Sequence, residues 1–160
     1  MSDPNIGRLP LQGLRGDQVE GYRFLEHMTD AFIEAWGPTI ERAFDQAGMA
    51  LFETMLYPDK ILPTSTENIT VEGHDEKELL YNWLEAILLK FEIDGEALGK
   101  FDVQSIQYHK ENLNLNGTAK GEAYDPEKHG RKVEVKGVTY HQMMIQKEKD
   151  RILLRFLLDL

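Results

Sequence analysis

The residues from Val133 to Leu160 constrain the fold of this 160-residue chain more than any other stretch. A segment rich in β-branched residues leads to a polar turn at Lys147–Asp150, and an apolar run then reaches the last residue. Most chains end in a few polar, poorly ordered residues. An apolar ending therefore predicts a terminal segment that packs into the core.

The periodicity of this terminal run fits two structures. One face of a strand would contain Ile152, Leu154, Phe156, Leu158 and Leu160, whereas one stripe of a helix would contain Ile152, Leu153, Phe156, Leu157 and Leu160. The short polar turn and the β-branched residues before it favour a β-hairpin. Packing of either structure would hold the Asp159 carboxylate beside the α-carboxylate of Leu160. Because adjacent anions repel, such a pair could bind a cation, and a solvated chain end is the alternative.

The composition is that of a water-soluble globular domain, with 41% hydrophobic and 29% charged residues. The chain has no apolar run near the ~18 residues that a transmembrane helix needs, and its start lacks a signal-peptide pattern. It contains no cysteine, so disulfides and zinc–thiolate sites are excluded. These features predict a cytoplasmic protein without a membrane partner.

The net charge of −10, from 18 basic and 28 acidic residues, restricts the partners. Proteins that bind nucleic acid on their own usually carry a basic patch that neutralises phosphates. The basic residues here are scattered along the chain. We therefore expect no direct binding of nucleic acid, and a basic protein as the partner.

Residues 1–19 read as a flexible leader, and residues 20–160 as one α+β domain. Two short strands are predicted on either side of a turn at His27–Asp30. Gly37-Pro38 should open an amphipathic helix, with proline at its first position, and Pro58 should end it.

A strand, a second helix and a hairpin are predicted next along the chain. A strand at Asn68–Glu72 precedes a helix whose predicted capping box is Asp75–Glu78, and Gly95 and Gly99 mark the end of that helix. A hairpin follows, formed by Phe101–Tyr108 and Leu113–Tyr124; strict alternation places Val103 and Ile106 on opposite faces. The predicted architecture is a single-domain, two-layer α+β sandwich: a mixed or antiparallel β-sheet with two amphipathic helices packed on it.

Few residues suggest chemistry on their own. His27 and Asp30 could act as an acid–base pair or simply cap a turn. The polar stretch Asp125–His129 is typical of a loop. On a regular strand Lys136 and Tyr140 share a face, whereas the next residue, His141, faces away. A compact triad of these three is therefore excluded. The sequence also lacks a phosphate-binding loop and a nucleophile motif.

Several of these segments, in this order, resemble the archease family, the protein co-factor of the RtcB-class tRNA-splicing RNA ligase. The resemblance covers Tyr22 to Leu160. The matching segments are Glu26–Asp30, Ala35–Gly37, Gly121-Glu122, Asp125–His129, Val135–His141 and Leu158–Leu160. The family more often has His-Thr-Ala-Asp where this chain has His27-Met28-Thr29-Asp30, a departure that keeps the histidine and the acid.

The resemblance implies a divalent metal site, usually calcium with magnesium or manganese as alternatives. Its ligands would be Asp30, Asp159 and Leu160, the last through backbone or terminal carboxylate oxygens. It also implies an accessory protein, not an enzyme, that promotes guanylylation of the ligase histidine and multiple turnover. Lys136 and His27 are the predicted contacts to the partner. The alternative function is a general chaperone or adaptor with a structural metal site.

Overall fold

The computed structural model describes residues 18–27 and 29–160. The predicted leader, apart from its last two residues, lies outside the described residues, as does Met28 in the first turn. The described elements, in chain order, are β1 (Gly21–Leu25), β2 (Ala31–Gly37), α1 (Ile40–Met55), a 3-10 turn (Pro58–Lys60), β3 (Ser65–Gly73), α2 (Glu76–Glu92), β4 (Glu96–Tyr108), β5 (Leu113–Ala123), α3 (Pro126–His129), β6 (Gly137–Lys147) and β7 (Ile152–Asp159).

The strands form two antiparallel sheets, with the orders β1-β2-β7-β6 and β3-β5-β4. Helix α1 packs on β2 of the first sheet and β4 of the second, and α2 packs on β6 and β3. The α+β class is confirmed, but the strands divide between two sheets instead of one. Both helices bury broad apolar surfaces, and broad surfaces can contact two layers. None of the helices in the described ranges is long and apolar enough to cross a membrane.

The two long helices begin at side-chain caps. Thr39 is the N-cap of α1, and its Oγ1 accepts a hydrogen bond of 3.2 Å from the Arg42 N–H. The prediction that Pro38 occupies the first helical position is therefore wrong. Thr39 has an extended backbone and a side-chain oxygen that accepts a capping hydrogen bond, whereas proline has no such oxygen. Asp75 caps α2 as predicted, accepting from the Glu78 N–H at 2.8 Å. The Glu78 carboxylate bonds the N–H of His74 at 2.7 Å.

A β-bulge between Val103 and Ser105 interrupts the edge strand β4. It shifts the alternation by one residue, so Val103 and Ile106 are both buried in the core, and their predicted placement on opposite faces is wrong. Helix α1 secures the bulge: the Val103 N–H donates to Asp45 Oδ1 at 2.7 Å, and Arg42 donates to the Val103 carbonyl at 2.6 Å. Burial raises the pKa of Asp45 to about 7.

The C-terminal run forms strand β7, which confirms the hairpin with β6. It lies in the middle of its sheet, between β2 and β6. Strand β6 begins at Gly137, so the β-branched residues before it are outside the regular ladder. Because β7 pairs on both sides, the end of the chain is fixed relative to two other strands.

A buried carboxylate on β2 has a structural explanation. Glu34 is only 3% exposed, yet its carboxylate oxygens form salt bridges with Arg23 Nε at 2.7 Å and with Arg155 Nε at 2.9 Å. The three side chains come from directly paired positions on β1, β2 and β7. The two arginines compensate the buried charge, so Glu34 serves to join three strands.

A substitution at Gly121 of β5 would test how closely β4 and β5 approach each other. A Cβ atom at this position would overlap the Ala97 carbonyl oxygen, which belongs to the backbone of the paired strand. We expect Gly121→Ala to lower the free energy of unfolding by roughly 3 kcal/mol or more, because the backbone must separate to admit the methyl group. Chemical denaturation provides the measurement.

Gly137→Ala is the matched control, because a Cβ atom there would meet nothing within 4 Å. It should change the unfolding free energy by less than about 0.5 kcal/mol. Equal stability of the Gly121→Ala variant and the wild type would contradict the close approach of β4 and β5.

Candidate metal centre at the end of the central strand

The pairing of β2 with β7 brings two distant acids to one end of the first sheet. Ala31 is paired with Leu158. Asp30 precedes Ala31 and Asp159 follows Leu158, on neighbouring segments of the chain that run in opposite directions. Since adjacent strands lie about 4.8 Å apart, the backbones of Asp30 and Asp159 are neighbours, although 129 residues separate them in sequence.

The third strand closes the same corner. Asp159 pairs with Gly137 of β6, and the Lys136 N–H donates to the Asp159 carbonyl oxygen at 2.7 Å. Leu160 is half-buried and packs against the core. The fold therefore places all three predicted metal-binding residues, Asp30, Asp159 and Leu160, at one corner of the sheet.

The two carboxylates carry charge that the described residues do not compensate. Asp159 is exposed and Asp30 is half-buried. Within residues 18–27 and 29–160, neither side chain takes part in a salt bridge or a side-chain hydrogen bond. Neighbouring uncompensated carboxylates favour a cation between them.

The donor chemistry at this corner fits a hard divalent cation. Calcium, magnesium and manganese prefer carboxylate and carbonyl oxygens, and this corner offers two side-chain carboxylates and the terminal oxygens of Leu160. The described residues contain no cluster of three or more His, Cys, Asp or Glu side chains arranged to hold a metal. The predicted set differs from such a cluster because only two of its members, Asp30 and Asp159, are acidic side chains.

The two predicted partner contacts lie beside the same corner. His27 is exposed, in the turn that leads to Asp30, and its ring centroid lies 5.9 Å from that of Phe32 in an edge-to-face arrangement. Lys136 is exposed, and no acidic group among the described residues pairs with its ammonium group. Both side chains are thus accessible next to the carboxylates.

The polar stretch Asp125–His129 folds as the short helix α3 and not as an open loop. Its histidine is fully buried. His129 Nδ1 accepts a hydrogen bond from the Asp125 N–H at 2.9 Å, and His129 Nε2 lies 2.7 Å from Glu122 Oε2. Because Nδ1 is occupied as an acceptor, the proton is on Nε2 and is donated to Glu122.

This arrangement argues against acid–base chemistry at His129, because both ring nitrogens are engaged and the ring is closed to solvent. Hydrogen bonds from His129, the Leu62 N–H and Lys128 hold the pKa of Glu122 down, at about 2. The Glu122–His129 pair therefore joins α3 to β5 and to the segment before β3. The sequence contained the residues of this cluster but gave no sign that the histidine would be buried.

Tyr140 and His141 lie in a second irregular segment. The register of β6 shifts between Thr139 and Met144, so four residues of β6 oppose a single residue of β7. The regular alternation assumed for Lys136, Tyr140 and His141 is therefore wrong, since Lys136 precedes the strand and the other two belong to the bulge. Lys136, Tyr140 and His141 do not form a triad.

The chain between residues 22 and 160 matches the model of the Archease protein family (MTH1598/TM1083). The chain is a member of the archease family. Protein archease of Sulfurisphaera tokodaii is 34% identical over 142 residues, which cover 89% of this chain and the whole of that relative. Protein archease of Pyrococcus furiosus is 41% identical over 125 residues, covering 78% of this chain and 87% of the relative.

Solved archease structures agree with the fold. The solution structure of Methanobacterium thermoautotrophicum protein 1598 has a TM-score of 0.76 and 35% identity, covering 88% of this chain and 99% of its own. The crystal structure of a Thermotoga maritima archease, described as a possible chaperone, has a TM-score of 0.53 at 18% identity. It covers 85% of this chain and 94% of its own, and at this identity it supports the fold alone.

The Glu122–His129 pair predicts a specific acid sensitivity of this archease. Glu122 has a folded pKa of about 2 against an ordinary value of 4.5. Its contribution to stability is therefore complete above pH 4.5 and is lost as the pH falls from 4.5 to about 2. We expect Glu122→Gln to lower the melting temperature at pH 6, and the difference from the wild type to shrink below pH 4.5.

Glu111→Gln is a suitable control, because Glu111 is exposed in the β4–β5 turn. Its melting temperature should follow that of the wild type at every pH. A Glu122→Gln variant with the wild-type melting temperature at pH 6 would show that the pair does not hold α3 in place.

Proposed function

We propose that this archease is an accessory protein that stimulates an RtcB-class tRNA-splicing RNA ligase in the cytoplasm. In this proposal it is not itself an enzyme. It promotes guanylylation of the ligase histidine and multiple turnover. It uses a divalent cation, with calcium as the first candidate, and Asp30, Asp159 and Leu160 bind that cation. The proposal is supported most by one observation: the strand pairing that makes Asp30 and Asp159 neighbours at the end of the central strand.

The charge of the protein supports a protein partner. A molecule with a net charge of −10 is repelled by the phosphates of RNA and attracted to a basic protein. An RNA ligase must itself carry a basic surface in order to bind RNA. The accessory protein would therefore bind the ligase directly and leave RNA binding to it.

The residues around the carboxylate corner have separate roles in this proposal. Asp30, Asp159 and Leu160 supply the oxygen donors, while the Lys136 N–H, by bonding the Asp159 carbonyl, fixes the orientation of the last residues. In this proposal the exposed side chains of Lys136 and His27 contact the ligase or a bound phosphate. A divalent ion bound there would supply positive charge next to the nucleotide phosphates.

A second candidate function is a general chaperone or adaptor in which the metal site is structural. The Thermotoga maritima archease is itself described as a possible chaperone. The two functions differ in what the carboxylates do. A chaperone with a structural metal would suppress aggregation of unrelated proteins and would not need the ligase.

Variants of the carboxylate corner test the proposed function. We expect Asp30→Asn and Asp159→Asn each to weaken divalent-ion binding by roughly tenfold or more, because each removes one negative donor. Both should also abolish the stimulation of covalent GMP loading in a mixture of ligase, GTP, divalent ion and RNA ends. Calorimetry and radiolabelled GMP transfer are the two measurements.

Asp150→Asn is the matched control, since Asp150 is exposed at the opposite end of the β6–β7 hairpin. It should behave as the wild type in both assays. Full stimulation by a folded Asp159→Asn variant would reject a role for the metal site, and no stimulation by the wild type at any ratio would reject the ligase role.

The contribution of Leu160 has its own test. Extension of the chain by Gly-Ser after Leu160 replaces a charged carboxylate with a neutral amide. We expect weaker ion binding, because the charge of the ligands sets the affinity for calcium. Unchanged affinity in the extended protein would show that the terminal carboxylate of Leu160 is not a ligand.

A further inference from the structure

Two stacked tyrosines form an aromatic surface beside the carboxylate corner. The rings of Tyr81 on α2 and Tyr140 on β6 lie 4.4 Å apart between centroids and are inclined by only 8°. Tyr81 is partly buried against the core, whereas Tyr140 is 50% exposed. One face of the Tyr140 ring is therefore covered by Tyr81, and much of the rest of the ring is open to solvent.

Acidic side chains of α2 lie on both sides of Tyr81 along the helix. Glu78 and Glu85 lie three residues before and four residues after Tyr81, so all three project from one side of the helix. Partial burial raises the pKa of the Tyr140 hydroxyl, and the nearby charges of Glu78, Asp75 and Glu85 raise it further. The electrostatic potential around the Tyr140 ring is thus negative.

The two glutamates differ in their partners. The Glu78 carboxylate is 2.9 Å from Nδ1 of His74, a side chain that is 81% exposed. Glu85 is exposed, and no cation in the described ranges pairs with it. A further positive group could therefore bind here without displacing a buried ion pair.

The backbone presents Tyr140 at some cost in strain. Tyr140 is the first residue of the four-residue bulge of β6, in which Gln142 has a φ of 59°, a left-handed value that is strained for a non-glycine residue. Strained residues of this kind cluster at binding and catalytic sites. Among the described strands, β6 is also at the edge of its sheet, so no other described strand pairs with its second side.

We propose that the tyrosine patch, defined as Glu78, Tyr81, Glu85 and Tyr140, is a docking site for an arginine side chain of the basic protein partner. A guanidinium group is planar, so it stacks on the face of an aromatic ring while its N–H groups bond a carboxylate. The patch offers the ring and the carboxylates side by side. This inference rests on the proposed function for the identity of the partner, the ligase.

The position of the patch explains how docking would serve the carboxylate corner. Tyr140 is three residues beyond Gly137, which pairs with Asp159. At about 3.3 Å per residue, the patch and the corner are roughly 10 Å apart along one strand. A partner bound at the patch would therefore lie close to the end of β7 that carries Asp159.

A nucleobase is the other planar group that stacks on tyrosine. The carboxylates of Glu78 and Glu85 disfavour it, because they would repel the attached phosphate. Nucleotide binding at the patch is accordingly an outcome that would contradict the proposal.

Binding of the ligase provides the first arm of the test, with dissociation constants from calorimetry. Tyr140→Leu keeps an apolar side chain but removes the ring, and Glu85→Gln removes one charge; we expect each to weaken binding roughly tenfold. Tyr140→Phe keeps the ring and should bind as the wild type does. Glu111→Gln, an exposed acid distant in the fold, should also have no effect.

The variants separate this inference from the proposed function. Asp159→Asn should bind the ligase with nearly wild-type affinity while failing to stimulate it, whereas Tyr140→Leu should recover stimulation at high protein concentration. Wild-type affinity in both Tyr140→Leu and Glu85→Gln would overturn the docking site and leave the ligase role standing. Failure of the wild type to bind the ligase would overturn the proposed function, and the second arm would then decide the patch alone.

The second arm uses the peptide acetyl-Gly-Arg-Gly-amide and NMR chemical shifts at neutral pH. The peptide should shift the Tyr81 and Tyr140 resonances of the wild type but not those around residue 140 in Tyr140→Leu. Equal shifts with the lysine peptide would reduce the effect to general charge attraction and overturn the proposal. Shifts at the patch with GMP would overturn it as well.

Discussion

The C-terminal strand pairs on both of its sides, and this double pairing holds the first sheet together. Strand β7 forms ladders with both β2 and β6, and it therefore links the β1-β2 hairpin to β6 in that sheet. Three of its side chains, Leu154, Phe156 and Leu158, enter the main core. Leu153 and Leu157, which alternate with them, are buried on the opposite face.

This double burial explains an ambiguity of the sequence. A strand with only one buried face shows a clear alternation of apolar and polar residues, whereas a strand buried on both faces is a continuous apolar run. The run from Ile152 to Leu158 is interrupted only by Arg155, whose charge is balanced by Glu34. Periodicity alone could not separate helix from strand here, and the turn before the run was the signal that favoured the strand.

Structural features that depend on residues close together in the sequence could be predicted from the sequence. The cap at Asp75 and the hairpin around residues 110–112 follow from residues within a few positions, and both are present. The bulges at Val103 and at Tyr140 could not be predicted, since the first is secured by side chains of α1 from 58 or more residues away and the second depends on how β6 meets β7. Each bulge changed the faces of the residues after it.

The candidate metal site could likewise be predicted only in part from residues that are close together in the sequence. The sequence indicated that Asp159 and Leu160 would be fixed at the end of an apolar segment, but nothing in its periodicity connected them to Asp30. That connection came first from the resemblance to the archease family, and the register of β2 against β7 now gives it a structural basis. The buried His129 and the stacked Tyr81–Tyr140 pair are tertiary contacts, so they became visible only when the elements were assembled.

Paramagnetic line broadening by Mn²⁺ would locate the cation on the protein, because the effect falls steeply with distance from the ion. Sub-stoichiometric Mn²⁺ should first broaden the amide resonances of Asp30, Gly137 and Asp159, and should leave that of Asp150 at the other end of the hairpin sharp. Broadening centred on the acidic start of α2, at Asp75 and Glu78, or no selective broadening anywhere, would contradict a cation site built by the pairing of β2 with the chain's last strand.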